Sequence, residues 1–219
     1  SSNGPGAAMA AWFSTVAIGT DTGGSVRIPS AHSGLAGMVA TQGLVSRGGI
    51  MPRGATQDRA GPMGRSIQDI ATLLTLIAGW DVEDGMTYQG TGHYPDPTWL
   101  DRIAAGDIRG KRIGVLREMM FDGPEHAEGL AIFESTLDTL SLAGAQIIDP
   151  VLTGLDLKNI TTSAVGRTAE YEKIYNQNAY LKRFGANRPY ETIQDMISQN
   201  DPALFASAMH TALELESPT

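Results

Sequence analysis

An α/β fold is predicted for this 219-residue chain from three features of its sequence. A β-branched stretch runs into a glycine-rich turn and a helix start between residues 15 and 30. A capped amphipathic helix follows at residues 66–79. Farther on, strand, helix and strand succeed one another between residues 112 and 148, the order of a parallel pair with a crossover helix. The length suffices for one sizeable core or two small ones. With 42% hydrophobic and 18% charged residues, the chain reads as globular rather than disordered.

The elements follow in chain order. Ala7–Ser14 reads as a small-residue helix, and Thr15–Ile18 as a short strand. Met9, Trp12 and Phe13 on that helix form an apolar cluster, more in keeping with core packing than with a pocket wall. Ser25 begins a short helix. Ser66-Ile-Gln-Asp69 is a capping box, and Ile67, Ile70, Ala71, Leu74, Ile77 and Ala78 make one apolar stripe ending at Gly79. Residues 81–101 hold five acids, no Lys or Arg, and several Gly and Pro, the composition of a solvated surface connection. Arg112–Leu116 reads as a buried strand. Leu130, Phe133, Leu137 and Leu140 mark a helix stopping at Gly144, and Gln146–Ile148 is the second strand. Beyond Leu155 the pattern is helical, with Asp201-Pro202 opening a last helix.

Composition narrows the function classes. The absence of cysteine excludes a disulfide scaffold, a thiolate metal site and a cysteine nucleophile. It fits a reducing compartment, and a cytoplasmic location is expected. His32, His93, His126 and His210 lack ligand spacing, so no zinc site is expected. A net charge of −8 argues against non-specific nucleic-acid binding. Neither a membrane span nor a secretory leader is expected.

Thirteen of the 26 glycines lie in residues 1–64, where Asp21 and Asp58 are the only acids. The main chain itself is expected to make contacts there. The most informative stretch is Ile18-Gly-Thr-Asp-Thr-Gly-Gly-Ser-Val-Arg-Ile-Pro-Ser30. Gly23 and Gly24 allow a sharp turn with unmasked N–H groups beside a helix start, an anion-binding concavity. A serine there combines an exposed hydroxyl with oxyanion donors, the two requirements of acyl transfer. The same residues also describe a plain strand–helix turn with Ser25 as cap. Asp21-Thr-Gly resembles half of an aspartic-protease dyad, but no second triplet occurs. A phosphate loop would want a lysine after the glycines. A histidine triad would rest on His32, which reads as a surface or core-edge residue.

Gly19-Thr-Asp-Thr-Gly-Gly-Ser-Val-Arg-Ile-Pro-Ser-Ala31 resembles the signature of the amidase signature family. The resemblance continues through Gly34-Leu-Ala-Gly37, Gly43-Leu-Val-Ser46, Asp58, Gly61-Pro-Met63, Arg65 and Asp69, covering residues 1–80. Residues 112–150 match in outline, and Tyr171–Asn200 is a weaker helical echo. The resemblance implies an α/β fold, a mixed β-sheet core covered by helices, present here as an incomplete central fragment. Residues 1–80 would be the core with the catalytic loop, 81–111 a surface connection, and 112–219 the strand–helix–strand and helical part of the same domain.

It also implies hydrolysis of a carboxylic amide, with esters as further substrates, by a Ser–cis-Ser–Lys triad through an acyl-enzyme. Ser25 matches the nucleophile. Ser1, 24 positions earlier, matches the bridging serine, with Ser2 beside it in a supporting place. The N–H groups of Thr22, Gly23, Gly24 and Ser25 match the oxyanion hole, and Asp21 and Arg27 a supporting pair. The Ser1 hydroxyl is expected within hydrogen-bond reach of the Ser25 hydroxyl. The base lysine belongs upstream of Ser1, and none of Lys111, Lys158, Lys173 or Lys182 matches it. Where members often read Gly-Leu-Lys-Pro-Thr, this chain has Gly37-Met-Val-Ala-Thr41, so altered loop packing is expected. No metal or cofactor is implied. The expected partner is a small-molecule amide, with no membrane, and a homodimer stays open. Two alternatives remain: an amidotransferase subunit, which would bring partner subunits and a tRNA-bound acyl group, and a non-catalytic binding relative.

Overall fold

The structure is a computed structural model that describes residues 1–96, 98–121, 123–160 and 168–199. The chain divides into two compact units, residues 1–103 with 166–219, and residues 104–165.

The first unit is built on a three-stranded antiparallel sheet. Helix α1 (Asn3–Ala10) leads into β1 (Ala17–Asp21), α2 (Arg27–His32), β2 (Ala36–Gly37), β3 (Arg59–Gly64) and α3 (Ile67–Ile77). The sheet order is β1-β3-β2, with Ala17 opposite Met63 and Asp21 opposite Arg59. Two apolar groups hold it. Met9, Val26 and Met63 are fully buried between α1, the glycine-rich turn and β3. Ala40, Leu44, Val45, Ala60 and Leu74 form the second, with Tyr94 and Trp99 packed against it. Each of the Val, Leu and Met side chains taken from water contributes about 1.5–3 kcal/mol before entropy is counted, and each alanine less.

Several boundaries differ from the sequence reading. Helix α1 begins at Asn3 and ends at Ala10, because Trp12 adopts φ 63° and stops it. Trp12 and Phe13 are therefore exposed, while Met9 alone of the three is core. The Arg65 guanidinium lies over the Trp12 ring at 3.8 Å and donates to the Met9 carbonyl at 2.7 Å. Strand β1 runs through Gly19 to Asp21, since ladder bonds to β3 override the glycine. Helix α3 starts on the expected capping box. Ser66 Oγ accepts from the Asp69 N–H at 3.1 Å, and Asp69 accepts from the Ser66 N–H at 3.0 Å. Its buried stripe is Ile70, Ala71 and Leu74; Ile67 faces solvent.

The acidic segment after α3 is tied down rather than freely solvated. Asp84 and Thr87 are buried in and beside a 3-10 helix at Gly85–Gly90. Asp84 accepts from Arg47 Nη2 at 2.8 Å and Nε at 2.9 Å. Helix α4 (Thr98–Ala104) follows.

The second unit pairs β4 (Arg112–Gly114) in parallel with β5 (Gln146–Ile148), with α5 (Ala127–Leu142) between them in sequence. This is the expected strand–helix–strand order. Strand β4 is shorter than expected and half-exposed; Val115, just past it, is the buried residue. Antiparallel and parallel pairing thus both occur, on separate sheets of the described residues. The short α6 (Leu157–Asn159) closes this unit. In the first unit, α7 (Thr168–Lys182) and α8 (Ile193–Ser198) pack through Ile174, Leu181, Ile193 and Ile197. The helix expected at Asp201-Pro202 lies outside the described residues. No helix among the described residues is long and apolar enough to cross a membrane.

Candidate active site

The glycine-rich turn leaves β1 at Asp21 and enters α2 at Arg27. Val26, not Ser25, occupies the cap position, and no side chain caps the helix. The cap reading of Ser25 is therefore corrected: its hydroxyl is not used to start α2. The turn is held from inside by Asp21, whose side chain is 2% exposed. Its carboxylate accepts from the Gly24 N–H at 2.6 Å and the Val26 N–H at 3.1 Å. Arg27 adds Nε and Nη2, each at 3.2 Å. Burial pushes the Asp21 pKa up, but the Arg27 hydrogen bond, the two amides and the Arg27 charge outweigh it. The net direction is down, so the group stays a carboxylate. Gly24 has φ 133°, and a Cβ there would meet Ile28 Cδ1 at 2.7 Å; only glycine serves at this point.

The four expected oxyanion donors do not stand alike. The Gly24 N–H is committed to Asp21. Among the described residues, the N–H groups of Thr22, Gly23 and Ser25 have no protein acceptor. Thr22, Gly23 and Ser25 line one cavity of about 270 Å³ together with Arg53, Gln57 and Ala169. The first three come from the turn, the next two from the loop before β3, and the last from the start of α7. A nearby cavity of about 340 Å³ is walled by Arg47, Asp58, Arg59, Tyr180 and Arg183, and none of residues 22–25 lines it.

Ser2, rather than Ser1, makes the bonds to this turn. The Ser2 N–H donates to the Ser25 carbonyl at 2.9 Å. Ser2 Oγ donates to the Thr20 carbonyl at 3.1 Å and accepts from the Thr20 N–H at 3.0 Å. Ser2 is thus a brace for the end of β1. Ser1 is exposed, and among the described residues its hydroxyl forms no hydrogen bond with Ser25. The expected hydroxyl–hydroxyl bond is not made, because the contact between the two segments runs through the Ser2 backbone. His32, at the end of α2, is exposed.

Sequence reasoning missed the outer wall. Thr22 Oγ1 donates to Asp58 Oδ1 at 2.5 Å, and Asp58 Oδ2 accepts from the N–H groups of Arg53 and Gly54 at 2.7 and 3.0 Å. The Ala169 N–H donates to Gln57 Oε1 at 3.1 Å, and the Arg53 guanidinium pairs with Glu170. Lys173, one turn beyond Ala169, is buried. Burial lowers its pKa, Arg53 acts the same way, and Glu170 opposes them. Only Asp58 had a sequence signal, as one residue of the resemblance. Residues more than 100 positions away carry no local pattern that would place them here.

The family model for amidases matches residues 1–217. This chain belongs to the amidase family. Among curated relatives, the amidase chain is 39% identical over 149 residues to a glutamyl-tRNA(Gln) amidotransferase subunit from Zymomonas mobilis subsp. mobilis, covering 68% of this chain and 29% of that protein. The corresponding subunit from Cereibacter sphaeroides is 42% identical over the same shares. The chain spans less than a third of the length of these relatives. Among solved structures, an amidase family protein from Bacillus anthracis matches the whole chain and 42% of its own, with TM-score 0.81 and 30% identity. Native peptide amidase from Stenotrophomonas maltophilia matches 98% of this chain and 43% of its own, with TM-score 0.80 and 31% identity. The amidase fold is thereby placed on these residues, and the α/β class with it.

Proposed function

We propose that the intact protein hydrolyses a carboxylic amide, with Ser25 as nucleophile. The observation that carries this reading is the Ser25 turn: Thr22, Gly23 and Ser25, whose N–H groups have no protein acceptor among the described residues, line one cavity of about 270 Å³. Such donors act on charge that develops only as the carbonyl oxygen becomes an oxyanion. Ser25 Oγ attacks the carbonyl carbon, and the N–H groups of Thr22, Gly23 and Ser25 receive the oxyanion. The resemblance assigns the proton relay to Ser1 and a neutral lysine upstream of it; the Ser1 hydroxyl, which makes no bond to Ser25 here, would have to turn toward it to take the proton. The proton returns to the leaving amine as the C–N bond breaks. Water then cleaves the acyl ester, freeing the acid and Ser25. Asp21 and Arg27 keep the turn in shape, and Ser2 fixes the strand that delivers it.

Similarity to the peptide amidase supports a peptide or small-molecule amide as substrate. The amidotransferase relatives favour a second reading, in which the released ammonia passes to an acyl group on tRNA within a complex of partner subunits. Copurification of such subunits with the tagged protein separates the two. The nucleophile itself is tested by Ser25→Ala. Turnover is expected to fall at least about 10³-fold with the fold intact, and a fluorophosphonate probe to stop labelling the protein. Near wild-type hydrolysis by the variant would sink the assignment.

A further inference from the structure

Thr22 presents two different groups to its surroundings. Its N–H is one of the unclaimed donors around Ser25, while its hydroxyl is bonded to Asp58 at 2.5 Å. Asp58 is 7% exposed and is itself gripped by two amides of the loop before β3. That loop is fastened to α7 by Gln57, by the Arg53–Glu170 pair, and by Thr56, whose N–H donates to Glu172 Oε2 at 3.0 Å. Asp21 holds the far side of the turn, at Gly24 and Val26. The near side, where the chain leaves β1, has the Thr22 hydroxyl as its side-chain anchor.

From this arrangement we infer that the Thr22–Asp58 hydrogen bond aims the Thr22 and Gly23 N–H groups, making Asp58 a positioning residue for acyl transfer. The inference rests on the reading of Ser25 as nucleophile. An anchor at Cβ restrains the backbone of its own residue and so the direction of the amide beside it. A donor that turns away loses its bond to the transition state while barely altering substrate binding. The effect therefore falls on kcat rather than KM.

The test uses the intact protein and three substitutions, Thr22→Val, Thr22→Ala and Thr22→Ser. The readouts are turnover of a dipeptide amide, the labelling rate of Ser25 by a fluorophosphonate, and the melting temperature. Deleting one oxyanion donor costs about 10²–10³-fold in kcat. Misdirecting it should cost less, so T22V and T22A are expected to lower kcat and labelling about 10–100-fold, with KM within about twofold and Tm little changed. T22S, which keeps the hydroxyl, is expected to restore most of the loss. Should valine fail to fold, alanine carries the same test without added bulk. Wild-type rates in T22V or T22A, a loss confined to KM, or a T22S as slow as T22V would each overturn the inference. Ser25→Ala separates it from its premise. A dead Ser25→Ala beside an unaffected T22V removes the positioning role alone; an active Ser25→Ala removes the nucleophile.

Discussion

Asp21 accepts from backbone amides and from Arg27 at once, so its carboxylate organises the turn even where Arg27 reaches into solvent. The two partners should then respond unequally to substitution. Asp21→Asn turns an NH2 group toward amide donors and leaves Arg27 without a counter-charge. It is expected to cost about 2–4 kcal/mol of stability and most of the activity. Arg27 is 62% exposed, so its charge is largely screened. Arg27→Ala should cost about 1 kcal/mol or less, with a parallel but smaller fall in turnover. Chemical denaturation alongside kinetics measures both, and a larger effect for Arg27 than for Asp21 would contradict this account. At this scale the sequence pointed to Ser25, Asp21 and Arg27, because all three sit in one short motif, and the Asp21–Arg27 contact is present. It was silent about Thr22 Oγ1, Arg53 and Gln57, whose partners are set by tertiary contacts. It also assigned four oxyanion donors where Asp21 occupies one of them.

Element boundaries were least legible where no side chain marks them. Val26 caps α2 without a side-chain hydrogen bond, and α1 begins on Asn-Gly-Pro with no side-chain cap bond and no apolar stripe. By contrast the Ser66–Asp69 box was read correctly, and α8 opens on the same device, Thr192 with Asp195, in a matching Thr-Ile-Gln-Asp. The half-buried Arg47 and the buried Asp84 tie the loop before β3 to the 3-10 helix after α3. The Arg47 hydrogen bond, helped by backbone amides and the Arg47 charge, holds the Asp84 pKa at about 2 against burial, below its ordinary 3.8. A depressed carboxylate stabilises the fold above its unfolded pKa, and that stability is lost as pH falls through the folded value. On the order of 2 kcal/mol should therefore disappear between about pH 4 and pH 2. Asp84→Asn is expected to flatten this part of an acid-unfolding curve; an unchanged acid limb would show that the pair does not govern it. Gly54 supplies another test between elements. A Cβ there would lie 2.7 Å from Ala169 Cα and Cβ. Gly54→Ala should destabilise by about 1–3 kcal/mol, and Ala169→Gly in the same chain should restore part of it, as read by thermal melts.

For the whole molecule, the sequence conveyed the fold class, the parallel pair and the family resemblance, since each shows in motifs and periodicity that follow one another along the chain. The division into a discontinuous first unit and an inserted second one depends on contacts across more than 100 residues, which periodicity does not encode. The proposed chemistry makes one prediction here. A neutral lysine base with no histidine in the relay gives a rate that rises through neutral pH to an alkaline plateau. His32→Ala should leave that profile in place; its collapse to a profile governed by a group near pH 6.5 in the parent, abolished in the variant, would indicate histidine chemistry instead.

The bolting of the loop at residues 53–57 onto α7 also bears on when the site comes into being. Its bonds to Ala169, Glu170 and Glu172 span more than 110 residues, with the whole second unit threaded between their ends. Contacts so distant in sequence close slowly, because a long loop must lose its freedom before they form. A chain emerging from the ribosome displays Ser25 and its turn well before α7 exists to complete the wall beside them. The Ser25 turn is thus made early and enclosed late, so on the proposed chemistry reactivity should appear during refolding only after the sheet and its glycine-rich turn have already assembled.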